Sequence, residues 1–184
     1  MKNIFIGGVA KSGKSTIAEK ICNGEKYNHI PIDYFTASLK RNFPDVGIVS
    51  NVVINDETSS KLSLLLSTVI SIIDTKDEKF ILDSAHVMPK DIIKYLDRDK
   101  WDIYYFGYPN TTVQEKINTI RKYEEKESWT NKRTDQDLTE TLTKLISLSK
   151  EIQQQCIENN IPFIDTSTEI IQTIENAYNK YIKK

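Results

Sequence analysis

Gly8-Val9-Ala10-Lys11-Ser12-Gly13-Lys14-Ser15 spells G-x-x-x-x-G-K-S, a spacing suited to holding a polyphosphate. Glycines let the backbone curl so that successive N–H groups turn inward toward anionic oxygens. A helix beginning near Gly13 would add its positive end to the same point. In such a loop the lysine, here Lys14, reaches the β- and γ-phosphates, and the hydroxyl, here Ser15, serves Mg²⁺. Thr16 follows directly and is grouped with the loop as a nucleotide contact.

The motif acts only between a strand and a helix. Upstream, Asn3-Ile4-Phe5-Ile6-Gly7 is short, apolar and β-prone. Downstream, Ile17, Ala18, Ile21 and Cys22 recur at helical spacing and Asn23-Gly24 supplies a stop. The rest of the chain alternates in the same way. A second strand is expected near 27–32, ending at Asp33, and a helix over 34–42 halts before Pro44. Residues 44–56 read as loop with a possible extended patch at 48–54. A long helix over 57–74 carries Leu62, Leu65, Leu66, Val69 and Ile73 on one face. A buried strand covers 79–83. Pro89 opens a helix that runs to about Leu96. Strand 101–106, helix 112–127, a polar turn over 128–135, helix 137–158, strand 161–165 and helix 168–182 complete the chain. Five strands alternating with helices predict a three-layer α/β fold, a five-stranded parallel sheet covered on both faces.

At 184 residues the chain is read as a single domain, 1–184, with room for a mobile segment. A formal net charge of −1 argues against an electrostatic nucleic-acid binder. The most apolar stretch, 62–73, is too short to span a bilayer and is broken by Ser63, Ser67, Thr68 and Ser71. No leader is visible before the first strand, so a cytoplasmic, membrane-free protein is expected, with Cys22 and Cys156 as unpaired thiols. No feature singles out an oligomeric state. The arginines are Arg41, Arg98, Arg121 and Arg133, and each is a candidate wherever phosphoryl groups must be neutralised.

With its elements placed, the chain resembles the small P-loop kinases, the group that includes nucleoside monophosphate kinases, shikimate kinase, gluconate kinase and chloramphenicol phosphotransferase. The motif-level likeness is confined to 8–15; elsewhere it is one of element order. The resemblance implies the P-loop NTPase fold, a substrate region after the second strand, a helical lid at about 121–136, and ATP with Mg²⁺ as cofactors. It implies transfer of the γ-phosphate to a small-molecule acceptor. A nucleotide-binding regulator or slow NTPase would use the same loop without a small acceptor.

The resemblance also implies site residues. Asp33 stands where hydroxyl-phosphorylating members place a carboxylate near the acceptor or the metal shell; otherwise it caps the next helix. Asp83, ending Phe80-Ile81-Leu82, is similar to the carboxylate that orients Mg²⁺; otherwise it caps a turn. His86 could touch substrate or make an ordinary polar contact. Arg121 and Arg133 fall where related kinases keep lid arginines that neutralise the transferring phosphoryl; otherwise they serve solubility. Lys126 and Lys132 are weaker candidates. Trp129, large and aromatic in a polar turn, is a hinge or lid anchor or packs on substrate. Arg41 could bind an acidic acceptor or complement the end of its helix. Asp165-Thr166-Ser167 passes near the adenine in related kinases and reads locally as an N-cap cluster for the last helix. The chain lacks the Gly-Arg lid signature of adenylate kinases and the Gly-Gly of shikimate kinase, where it has Asp83-Ser84-Ala85-His86. No acceptor is assigned.

Overall fold

A computed structural model describes residues 1–49, 52–123 and 128–183. Strand β1 (Asn3–Gly8) runs into the loop, which opens helix α1 (Lys14–Gly24); β2 (Tyr27–Pro31) and α2 (Ile32–Asn42) follow. After a 3₁₀ turn at Pro44–Val46 come α3 (Asp56–Ile73), β3 (Lys79–Ser84), the single-turn α4 (Pro89–Ile92) and β4 (Trp101–Gly107). Next are α5 (Val113–Lys122), α6 (Asp135–Glu158), β5 (Phe163–Asp165) and α7 (Ile170–Ala177), which continues into a π turn at Tyr178–Ile182.

The strands form one parallel sheet in the order β2-β3-β1-β4-β5. Side chains alternate across it, as strand geometry requires. On β1, Ile4 and Ile6 pack with Ile17, Ala18, Ile21 and Ile174 of α1 and α7. Phe5 faces the opposite layer, with Leu62 and Leu66 of α3 and Leu142 and Leu145 of α6. The expected three-layer α/β architecture is thus present. The adjacent strands β1 and β3 send their following connections to opposite sides. Their carboxyl ends are therefore the switch point, where open α/β sheets hold ligands.

Local corrections have physical reasons. Asp33 lies inside the first turn of α2 rather than at a strand end, because the chain turns helical immediately after Pro31. Proline, lacking an N–H, is tolerated at the end of this edge strand. The extended patch at 48–54 is absent among the described residues. Ser50 and Asn51 lie outside them, and Asn55 already caps α3 by accepting from Thr58 N at 2.7 Å. The helix from Pro89 stops at Ile92, after which Tyr95 N bonds Ile92 O over three residues. Helix α6 starts at Asp135, set by a Thr134–Asp137 capping box. The last helix begins at Ile170, and its N-cap, Glu169, makes no side-chain cap. Cys156 is buried and Cys22 half-buried, both unpaired in disulfide terms. No helix among the described residues is long and apolar enough to cross a membrane.

Candidate active site

The loop bends sharply at two glycines. Gly8 has φ 130° and a Cβ there would collide with the Phe106 carbonyl. Gly13 has φ 94° and packs beneath Ile174. Lys11 also sits in the left-handed region, φ 61°, unusual for a side chain with a Cβ. The loop's carbonyls turn into the protein. Val9 O accepts from Ser12 Oγ and Lys14 Nζ, both at 2.8 Å. Ala10 O accepts from Tyr108 Oη at 2.9 Å, Lys11 O from Lys116 Nζ at 2.8 Å, and Ser12 O from Thr166 Oγ1 at 3.1 Å.

The loop floors a cleft of about 340 Å³, within the range of small-molecule sites, roughly 300–1,000 Å³. Ala10 to Thr16 line one wall, and Asp33, Asp83 and Ala85 line the side beyond the ends of β2 and β3. Lys116, Thr119, Ile120 and Tyr123 of α5, Trp129, and Ile170, Ile171 and Ile174 of α7 line the other side. Lys14 is buried, which lowers its pKa; the charges of Asp33 and Asp83 partly offset this. Both carboxylates therefore stand close enough to Lys14 to act on it through space.

Each carboxylate is held by an imidazole. Asp33 Oδ1 lies 2.9 Å from His86 Nδ1 and accepts from Ala85 N at 3.3 Å. Asp83 Oδ1 lies 2.9 Å from His29 Nε2. Partial withdrawal from water would raise the Asp33 pKa. The His86 bond and charge, the Lys14 charge and the Ala85 amide outweigh it, and Asp33 is held below the usual carboxylate range. Asp33 is thus ionised at neutral pH. It caps no helix: the N-cap of α2 is Pro31, without a side-chain bond.

Three structures share this architecture over nearly their whole length. A shikimate kinase from Bacteroides thetaiotaomicron superposes with a TM-score of 0.60 at 10% identity, covering 97% of this chain and 97% of that one. A sugar kinase from Janibacter sp. HTCC2649 gives 0.61 at 15% identity, over 97% and 93%. A shikimate kinase from Acinetobacter baumannii, in complex with shikimate, gives 0.57 at 14% identity, over 98% and 96%. The chain has the fold of the small P-loop kinases. No protein-family model matches the sequence, and no curated protein matches it.

The lid expected at about 121–136 falls at the connection between α5 and α6, and the described part of that connection is fastened down. Arg121 Nη1 donates to Thr130 O at 3.2 Å, Nη2 to Arg133 O at 2.8 Å, and Nε and Nη2 to Asp135 Oδ1 at 3.2 and 2.9 Å. Arg133 lies over the Trp129 ring at 5.2 Å and donates to Thr141 Oγ1 at 3.2 Å. Neither arginine lines the cleft; Trp129 does. Arg41 is exposed at the end of α2 and does not line the cleft. His86 is buried behind Asp33, also outside the cleft lining. Lys132 is exposed, and Lys126 lies outside the described residues. The phosphate loop meets this connection directly: Lys11 Nζ donates to Ser128 Oγ at 2.6 Å. Asp165 and Ser167 bond each other and Asn110, not the last helix, which corrects the capping expectation.

His29, Tyr108 and Lys116 were not singled out by the sequence, yet each touches the loop or a cleft carboxylate. Lys116 carries a readable signal: it sits on the apolar face of α5 with Ile117 and Ile120, and a lysine is rarely buried without a task. His29 carries a weaker one, being one of two histidines in the chain.

Proposed function

We propose that the chain is an ATP- and Mg²⁺-dependent phosphotransferase acting on a hydroxyl of a small molecule. One observation carries this reading: a single cleft joins the loop from Ala10 to Thr16, with Lys14 and Ser15, to Asp33 and Asp83. In this reading the loop amides and Lys14 bind the β- and γ-phosphates. The apolar side, Ile120, Tyr123, Trp129, Ile170, Ile171 and Ile174, takes the nucleotide base.

Mg²⁺ is usually bound by one or two carboxylates with substrate phosphates completing the shell. The residues fit that pattern. Ser15, Asp33 and Asp83 share the cleft, and no cluster of three or more His, Cys, Asp or Glu suited to a protein-only cage occurs among the described residues. Ser15, with Asp83 or Asp33, would hold the ion, which supplies charge neutralisation on the phosphate oxygens; with Asp33 as proton acceptor, the carboxylate ligand is Asp83.

Asp33 is ionised and its Oδ1 is taken by His86 and Ala85. Oδ2 is left to orient the acceptor hydroxyl and take its proton. The hydroxyl oxygen forms the new bond to the γ-phosphorus, the bond to the bridging oxygen breaks, and ADP leaves. His86 and His29 hold the two carboxylates in place. Arg121 and Arg133 hold the lid segment, and the charge developing on the phosphoryl group falls to Lys14 and the loop amides. Arg41 remains the candidate for an acidic acceptor group. Neighbours named as kinases of shikimate and of sugar support a hydroxyl acceptor.

The test is ADP release by the purified chain with Mg²⁺ and ATP, across a panel of hydroxylated metabolites. The expected result is acceptor-dependent release that Lys14→Ala abolishes. Absence of transfer to any member, with no nucleotide-induced thermal shift, would sink the reading.

A further inference from the structure

A loop that aims its N–H groups at an anion must aim its carbonyls the other way, into the protein. Buried carbonyls need donors. Main-chain ladders cannot supply them here, because the loop is neither strand nor helix. The donors are instead side chains from distant parts of the chain. Ala10 O, Lys11 O and Ser12 O are taken in succession by Tyr108 Oη, Lys116 Nζ and Thr166 Oγ1. The three come from the end of β4, the first turns of α5 and the end of β5. All are buried, Lys116 at 2% exposure and Thr166 at 2%. They also support one another: Lys116 Nζ lies 3.8 Å from the centre of the Tyr108 ring, a favourable place for a cation shielded from water.

We propose that Tyr108, Lys116 and Thr166 are positioning residues for the phosphate loop, fixing the peptide units of Ala10, Lys11 and Ser12 with their carbonyls turned into the protein so that the amides converge on a polyphosphate. The inference rests on the phosphate-binding reading of Gly8 to Ser15. Lys116 has a second effect. Its ammonium lies one peptide unit behind the loop, facing the Lys11 and Lys14 charges and the Tyr108 ring. The Lys11 and Lys14 charges disfavour a proton on Lys116, and the negative charge of a bound polyphosphate offsets them. A polyphosphate in the loop therefore favours the protonated form of Lys116.

The test compares wild type with Tyr108→Phe, Thr166→Val and Lys116→Met, none of which changes side-chain size greatly. The probe is Mg²⁺-tripolyphosphate, measured by titration calorimetry in buffers of different ionisation enthalpy, with melting temperature recorded without ligand. Loss of one positioning bond should weaken binding about fivefold or more for Tyr108→Phe and Thr166→Val, and about tenfold or more for Lys116→Met, in addition to the fall in melting temperature that an unsatisfied loop carbonyl brings. Lys116→Met should also take up less proton on binding than wild type near pH 8. A purely structural role would lower the melting temperature and leave the proton count alone. The two hydroxyl variants keep the proposal testable if Lys116→Met fails to fold. Binding by all folded variants within twofold of wild type, with equal proton uptake, overturns the positioning proposal while leaving the phosphate-loop reading intact. Wild type that binds neither tripolyphosphate nor ATP overturns both.

Discussion

His86 Nδ1 lies 2.9 Å from Asp33 Oδ1, and the only other histidine, His29, stands in the same relation to Asp83. Both imidazoles of the chain are thus used on the two carboxylates that face Lys14. His86 is buried and Asp33 half exposed, so the imidazole supports from behind while the carboxylate meets the cleft. The pairing leaves one oxygen of each carboxylate for ligand, proton or metal shell.

Asp33 and His86 should separate by magnitude. With Asp33 as the proposed proton acceptor, Asp33→Asn should lower turnover by about 10²–10⁴-fold. His86→Ala removes only a supporting partner and should cost about 10–100-fold. Nucleotide affinity should change little in His86→Ala, because His86 does not line the cleft. Steady-state kinetics with an identified acceptor, alongside ATP titration, checks both. Equal losses in the two variants would remove the distinction between a proton-accepting Asp33 and a merely supporting His86.

Lys14 is buried, and burial lowers its pKa despite Asp33 and Asp83. The folded chain without phosphates therefore holds this ammonium at a cost. Lys14→Met should abolish phosphoryl transfer, by about 10³-fold or more, yet melt no lower than wild type. Differential scanning fluorimetry with and without ATP reads both effects. A large fall in melting temperature would recast Lys14 as a structural lysine.

What the sequence made legible follows from locality. The loop, its strand and its helix are contiguous, so eight positions and their flanks carry the whole device. Alternation on β1 and periodicity on α3 and α6 are local too, and they suffice for the layered sheet. The supporting contacts are not local: Tyr108, Lys116 and Thr166 reach the loop across 98, 105 and 154 residues. No spacing rule links them. Arg121 and Arg133 show the converse. Their positions suit a lid, but where their guanidiniums go depends on carbonyls and a carboxylate of the following turn. Asp33 moved from strand end to helix start through a boundary shift of two residues, without leaving the cleft.

Trp129 lines the cleft, whereas Trp101, the other tryptophan, is buried with its indole N–H on Asp74 Oδ1 at 2.7 Å. Nucleotide binding should therefore change tryptophan emission through Trp129 alone. Trp129→Phe should remove the change while Trp101 emission persists. Trp129→Ala should weaken ATP binding by about tenfold, the worth of one base–aromatic stack, and Trp129→Phe by less. A signal that survives Trp129→Phe would place the base elsewhere in the cleft.

Lys116 makes stability depend on pH in a direction fixed by its environment. Burial, with Lys11 and Lys14 nearby, brings its pKa down to about 7 from 10.5. Between these values the unfolded chain holds a proton that the folded chain lacks, so this group makes stability rise with pH across the window. Below it both states are protonated and the contribution is flat, with the full cost of the buried charge present. Lys116→Met removes the group and should remove this rise. Urea unfolding from about pH 6 to about pH 9 should show wild type gaining on the variant above about pH 7, by a slope approaching about 1 kcal/mol per pH unit. Subtracting the variant cancels every other titrating group that the substitution leaves undisturbed. Parallel curves for the two proteins would mean that Lys116 keeps an ordinary lysine pKa and is solvated in the folded chain. Its bond to Lys11 O would then not be the buried contact seen here.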